Sequence, residues 1–444
     1  MKIKKYLLHI GLIIAVGVSL VFSAIIWLDP VTFHHNTTQT TTTNDLDNIT
    51  KSDNNYKWSD VYLPTKVILT KDKQQMQLTS DKEDLVGDIR NSIKKVHVKD
   101  ITGDTKEDFA AYRSELLKNN SIMLSYSGPV SIGLFEKMMD QHILLKKYAN
   151  KTFKHIVIPL DDHKTIYLFN DSNLKVYKVE LLNDLPNSLY KVVDNKNVQQ
   201  TLVQYQEISK NNYILNYTKG VKVSQYSYLI NKENTNLFMT RLLGSSNSNS
   251  ISTKEHDEIT TYTTNSGQRL VIDGKTGMVT YSRDARQKKH STDSSFNDIL
   301  KESFNDLNRL GANLDDVRYQ GYDSNSKKVT YQSYVNGYPI ISNNYNGTYE
   351  ISIQKNGAMQ YQFSTDNLQV PLSNNAQTVD LPSTNDVIQT LKDNNYNINK
   401  VKDIVVGYEW KQNDNSQMVV DLIPTYFVHY NDIWINYKDL GKEN

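Results

Sequence analysis

The sequence predicts an α+β protein, with a single N-terminal transmembrane helix followed by a multidomain extracytoplasmic region of mixed helices and antiparallel sheets. Three observations predict it. Lys2, Lys4 and Lys5 precede an unbroken apolar run from Tyr6 to Leu28, closed by Asp29-Pro30. Beyond that run, helical and strand patterns mix without a repeated βαβ rhythm. Turn pairs such as Asn336-Gly337 and Asn356-Gly357 then separate short strand-like segments, the mark of hairpins.

The apolar run makes a helix of about 34 Å, enough to cross a hydrocarbon core of about 30 Å. The lysines ahead of it place residues 1–5 in the cytoplasm and send the chain after Asp29 outside. A cleaved signal peptide has an apolar region of about 7–15 residues ending in small residues. Here Ile25-Ile26-Trp27-Leu28 continue past the Ser23-Ala24 pair, so residues 6–28 are read as an uncleaved anchor with Trp27 at the outer interface. Gly11, Ala15, Ser19 and Ser23 recur every fourth residue and line one face of that helix. Small residues at this spacing let a second helix approach closely, and each hydroxyl bond across the contact contributes about 1 kcal/mol or less. This face is the expected partner-binding site.

Composition narrows the rest. The chain has 444 residues, with 50 basic against 49 acidic side chains, so no global field draws in nucleic acid. It has no cysteine, which excludes disulfides, thiolate catalysis and thiolate metal sites. An outside protein without disulfides points to a Gram-positive bacterium. Residues 29–55, rich in Thr and Asn, read as a flexible tether; as a coil its ~26 residues span a mean distance of roughly 25–30 Å. About 390 residues follow, enough for two to four domains. They divide by pattern into an N-terminal α+β unit (56–195), a middle unit (196–290) and a related C-terminal unit (291–444).

In the first unit, Lys66–Thr70 and Met76–Leu78 form a strand pair. Ser80-Asp81-Lys82-Glu83 reads as a capping box for a helix with Leu85, Ile89, Ile93 and Val96 on its apolar face. A helix follows over Lys106–Lys118, then a strand at Ile122–Leu124 ended by Gly128-Pro129, and a helix from Leu134 to about Leu145. Strands are expected at His155–Ile158, Ile166–Phe169 and Leu174–Leu181. The middle unit starts with a helix near Thr201, then strands at Tyr213–Tyr217 and Tyr226–Ile230 and a short helix at Asn236–Leu243. Gly244–Ser252 is read as a loop, followed by a meander over Glu258–Thr264, Gln268–Asp273 and Met278–Tyr281. Asp284–Asp293 links to the third unit. Its first helix carries Phe296, Ile299, Leu300, Phe304, Leu307 and Leu310 on one face and stops at Gly311. Strands at Lys328–Val335, Tyr338–Ser342, Tyr349–Gln354 and Ala358–Phe363 precede a helix at Asn385–Asp393. Strands at Ile404–Lys411, Met418–Val428 and Ile433–Tyr437 complete it.

The search for chemistry returns no catalytic set, metal site or cofactor cradle. Gly244-Ser245-Ser246 is not a Gly-x-Ser-x-Gly elbow. Asp161-Asp162-His163 falls between two strands, where these are ordinary turn residues, and His34-His35 lies in the tether. Glu136 and Asp140 share a helical face, and a solvated face is the expected reading. Tyr331, Tyr334, Tyr338, Tyr345, Tyr349 and Tyr361 belong either to a binding surface for peptide or glycan or, by the favoured reading, to sheet packing.

The anchor reads Ser19-Leu20-Val21-Phe22-Ser23-Ala24-Ile25-Ile26-Trp27-Leu28-Asp29-Pro30. It resembles the Ser-Leu-x-Leu…Ile-Trp…Pro ending of the anchor in the YycH (WalH) family. The resemblance extends to Pro64…Val67-Ile68-Leu69 leading to Glu83-Asp84-Leu85. It also takes in Leu422-Ile423-Pro424-Thr425-Tyr426-Phe427-Val428, followed by Asn431-Asp432-Ile433-Trp434. It implies a non-enzymatic accessory protein of the YycG/WalK sensor histidine kinase, working with a YycI-like companion whose domains are related to the last two here. It implies contact between the anchors and the kinase's transmembrane helices, with the direction of regulation left open. A wall- or peptide-binding module merely tethered by the anchor is the alternative function.

Overall fold

The computed structural model describes residues 56–442 apart from 107, 139–146, 210–211, 245–250, 285–294, 312–315, 355 and 373–376. The expected anchor, its face of Gly11, Ala15, Ser19 and Ser23, and the tether lie outside the described residues. No described helix is long and apolar enough to cross a membrane. What is described is a mixed α+β fold built on antiparallel sheets.

Its first half runs α1 (Trp58–Val61), β1 (Lys66–Lys71), β2 (Gln74–Thr79), α2 (Leu85–Ile93), β3 (Val98–Thr105), α3 (Phe109–Leu116), β4 (Ser121–Ser131) and α4 (Ile132–Met138). Then come β5 (Thr152–Pro159), β6 (Thr165–Asn170), β7 (Lys175–Leu181), α5 (Asn187–Lys191), β8 (Gln199–Ser209) and β9 (Asn212–Asn216). The nine strands form one sheet in the order β3-β7-β6-β5-β4-β1-β2-β8-β9. Both faces of its centre are covered, which explains why β1 reads as a continuous apolar run rather than an alternating one. Val67 and Leu69 enter one core, and Ile68 enters a second on the opposite face.

Local chemistry explains where this half departs from the sequence pattern. Asp84, not Ser80, caps α2, its carboxylate accepting from the Gly87 N–H at 3.0 Å. Ser80 Oγ instead accepts from the Lys82 and Glu83 N–H groups and closes a turn. The apolar face is as expected: Leu85, Ile89, Ile93 and Val96 are buried. β4 runs on past Gly128-Pro129, because a register shift between Ser125 and Val130 takes the proline out of the regular ladder. The helix expected near Thr201 is strand β8, whose Leu202 and Val203 pair with Met76 and Gln75 and so cover the open edge of β2.

The second half begins with β10 (Val221–Ser224), β11 (Tyr226–Lys232) and α6 (Thr235–Phe238), which continues as a π-helical turn over Met239–Leu243. β12 (Ile251–His256), β13 (Ile259–Thr264), β14 (Gln268–Asp273) and β15 (Met278–Arg283) make a meander, followed by α7 (Phe296–Leu310). β16 (Val317–Asp323), β17 (Lys328–Val335), β18 (Tyr338–Ile341), β19 (Thr348–Ile353), β20 (Met359–Ser364), β21 (Asp366–Pro371) and β22 (Thr378–Leu381) come next. The chain ends in α8 (Thr384–Asp393), β23 (Val401–Asn413), β24 (Ser416–Tyr430) and β25 (Ile433–Asn436). Twelve strands run β12-β13-β14-β15-β20-β19-β17-β18-β23-β24-β11-β21, with β16 on β17 and β25 on β24; β10 and β22 pair separately. α7 has the start and stop its sequence demands. Ser295 and Asp298 form a reciprocal capping box, and Gly311 takes the left-handed φ of 68° that ends the helix.

The two cores each run across the segments near 195 and 290. One joins Tyr62 and Ile89 to Leu300, Phe304 and Tyr331; the other joins Tyr112 and Met123 to Tyr338, Val406 and Tyr426. Polar contacts follow the same seams. Arg318, 4% exposed, grips Asp316 through Nε at 2.8 Å and Nη2 at 2.6 Å, and its Nη1 donates to the Pro64 carbonyl at 3.1 Å. Its guanidinium also lies 4.8 Å from the Tyr334 ring. Gly128 meets Gly321 so closely that a Cβ on the former would lie 2.5 Å from the latter's Cα. A side chain there would push β4 off β16.

Candidate functional site

The most organised polar cluster is one that no local sequence motif announces. Ser125 on β4 and His155 on β5 are register partners, so the period of the strand puts both on one face. Ser125 Oγ lies 2.8 Å from His155 Nδ1, and His155 Nε2 lies 3.1 Å from Asp171 Oδ2, in the turn after β6. Tyr112 of α3 donates to Asp171 Oδ1 at 2.7 Å, and Lys154 Nζ stands 3.7 Å from Oδ2. Burial pushes the Asp171 carboxyl up, but His155, Lys154 and Tyr112 outweigh it and hold it well below the usual carboxylate range. Burial and the Asp171 charge push the Tyr112 hydroxyl far above its ordinary value.

Ser–His–Asp is the order of an acyl-transfer triad. The surroundings do not permit that chemistry. Ser125 and His155 are each only 3% exposed. Ser125 sits mid-sheet with β1 paired on one side and β5 on the other, so its backbone is committed to the ladder rather than to an oxyanion hole. Its carbonyl accepts from the Thr65 N–H at 2.8 Å. The relay's role is structural: it satisfies the polar groups on this face and fastens α3 and the Tyr205 hydroxyl, 3.4 Å from Ser125 Oγ, onto the sheet.

The residues singled out from sequence fall elsewhere. Asp161, Asp162 and His163 form the turn between β5 and β6, with the Lys164 N–H donating to Asp162 Oδ1 at 3.0 Å. The His163 ring packs edge-on to Tyr190 at 4.7 Å, beside a cavity of about 340 Å³ that also touches Lys71, Asn120 and Asp194. Among the described residues no three His, Asp or Glu side chains are grouped to hold a metal ion. Tyr331, Tyr334, Tyr338, Tyr349 and Tyr361 are buried sheet packing, and Tyr345 is half-buried. Asp140, Ser245 and Ser246 lie outside the described residues.

Glu136 is not on a fully solvated face. It is half-buried on α4, its Oε1 has no hydrogen-bond partner, and burial pushes its pKa up to about 7. A raised carboxyl pKa means the fold favours the protonated form. The linked stability is therefore complete below the ordinary value of 4.5 and lost as pH rises through about 7. Glu136→Gln is expected to stabilise the protein by about 1 kcal/mol at pH 8, a figure discounted for the water that reaches the group, and to change nothing at pH 4. Thermal midpoints at the two pH values check this; equal shifts at both would contradict it.

Comparison with known proteins follows the same layout. The YycH protein N-terminal domain matches residues 5–198, and the YycH protein C-terminal domain matches residues 209–442. Together these take in nearly the whole sequence, and the chain belongs to the YycH family. The crystal structure of YycH from Bacillus subtilis superposes with a TM-score of 0.68 at 16% identity, covering 86% of this chain and 97% of that one. At that identity the likeness speaks for the fold. No curated protein matches the chain. Membership in the family implies a regulatory role and places the chain among accessory regulators rather than enzymes.

Proposed function

We propose that this protein is a single-pass, membrane-anchored regulator of a YycG/WalK-type sensor histidine kinase, acting with a YycI-like companion and without enzymatic activity of its own. The observation that carries this reading is the match to both YycH domains along nearly the whole chain. Two further points support it. The lysine-flanked apolar run at Tyr6–Leu28 has the length and orientation signals of an anchor with its body outside a Gram-positive cell. In the one triad-like cluster of the described body, Ser125 and His155 are buried within a sheet. In this reading Gly11, Ala15, Ser19 and Ser23 form the face that meets the kinase or companion helices, and three successive outer units are held off the membrane by the tether.

Exchange of residues 1–28 for an unrelated anchor of equal length tests the reading, scored with a reporter of the kinase's target genes. Loss of regulation with the body still displayed is the expected outcome. Retained regulation would transfer the function to the body, as the wall- or peptide-binding alternative requires.

A further inference from the structure

The whole chain has eight arginines, and three of them, Arg241, Arg283 and Arg309, line a single cavity of about 220 Å³. Gln268, Tyr281 and Tyr361 also line it, together with Leu242, Leu243 and Gly244. Strand register builds it. Gln268 pairs with Arg283 across β14 and β15, and Tyr281 pairs with Tyr361 across β15 and β20, two residues along on the same face. The Gln268 amide donates to the Tyr281 hydroxyl at 3.2 Å.

Each guanidinium arrives from a different element. Arg241 comes from the π-helical turn, a rare conformation that recurs at functional sites. Its Nη1 donates to the Leu310 carbonyl at 2.8 Å and lies 3.3 Å from the Glu233 carboxylate. Any side chain at residue 311 would collide with this guanidinium, so the glycine that ends α7 also seats Arg241. Arg309, half-exposed on the last turn of α7, pairs with Asp306 at 3.0 Å. Arg283 differs from both. Among the described residues it has no ion pair; its Nη2 rests 2.7 Å from the Met359 sulfur and its Nε is buried without a hydrogen-bond partner.

We propose that this cavity binds a phosphate group. Three cations face two carboxylates, and Arg241 and Arg309 also offset the partial negative charge at the end of α7. Arg283 is left as the charge available to a ligand. Burial, the largest influence on it, raises the Asp306 pKa despite Arg309 and Arg283 nearby. A carboxylate ligand is satisfied by one guanidinium fork, whereas donors converging from a helical turn, a strand and a helix suit the several acceptor oxygens of a tetrahedral anion. The volume fits such a head group and falls below the range for drug-sized ligands.

The test titrates the 444-residue chain with inorganic phosphate at low ionic strength, reading phosphorus NMR line width and thermal midpoint. Saturable broadening with a rise in midpoint is expected. Arg283→Gln should weaken binding by about tenfold or more, and Arg309→Gln, at a half-exposed position, should weaken it in the same direction. Arg269→Gln, on an exposed side chain away from the cavity, should bind as wild type does. Dimethyl phosphate forms a second arm. Binding of this diester as well points to a lipid headgroup or a phosphodiester polymer as the source; binding of phosphate alone points to a free or terminal phosphate. No saturable binding by the wild-type chain up to about 20 mM, or equal binding by wild type and both cavity variants, would overturn the proposal.

Discussion

Tyr62→Ala is expected to destabilise the described body by about 4 kcal/mol, a large fraction of the 5–15 kcal/mol that holds a typical domain together. Tyr62 is fully buried just beyond α1, and its ring lies 5.7 Å from Trp58, 5.2 Å from Tyr319 and 6.2 Å from Phe304. Its hydroxyl donates to the Leu300 carbonyl at 2.8 Å and lies 2.9 Å from the Tyr331 hydroxyl, which Ser303 Oγ meets in turn at 2.7 Å. Burial, with the neighbouring Tyr331, pushes its pKa well above the ordinary value, so it stays a neutral donor. Truncation removes an aromatic from a closed packing site and takes from the Leu300 carbonyl one of its two side-chain donors, leaving Ser303 Oγ at 3.0 Å. Tyr62→Phe removes only the hydroxyl and should cost about 1–2 kcal/mol. Urea midpoints of the two variants separate the terms. If both fell within about 0.5 kcal/mol of wild type, the packing of α1 against α7 would not be what holds the start of the body in place.

The elements that could be read from sequence were those whose signals are local. α7 announces itself through Ser295, Asp298, its six-residue apolar face and Gly311, and every one of these is used. Asn336-Gly337 is legible because both residues need positive φ, 49° and 82°, to reverse the chain between β17 and β18. β12 was hidden for the opposite reason. Ile251-Ser252-Thr253-Lys254-Glu255-His256 is an edge strand wet on both faces, so it carries no alternation, and its first two residues fall in the expected Gly244–Ser252 loop. β8 was misleading because its pattern is set by the open edge of β2 rather than by a core of its own.

The same distinction governs the sites. Ser125, His155 and Asp171 are far enough apart along the chain that only the pairing of β4 with β5, and the turn after β6, brings them together. Arg241, Arg283 and Arg309 meet through the register of β14, β15 and β20 and the end of α7, none of which a linear pattern encodes. Glu136 looked like a surface residue because helical spacing does not say what packs beside the helix. The proposed face of Gly11, Ala15, Ser19 and Ser23 lies outside the described residues, and its reading rests on helix geometry alone, which would place residues four apart on one side.

That face carries the second large expected effect. On the proposed reading, replacing Gly11, Ala15, Ser19 and Ser23 together by leucine would keep the apolar length of the run while filling the groove through which a second helix is proposed to approach. Close packing and up to two interhelical hydroxyl bonds are lost together, so helix association should fall by about tenfold or more, with insertion unchanged. The measurement that tests the central claim most directly is in-membrane crosslinking of this quadruple variant to the sensor kinase and the companion protein, beside the wild-type chain at equal expression. The account predicts that the wild type crosslinks and the variant does not; equal crosslinking by both would contradict it.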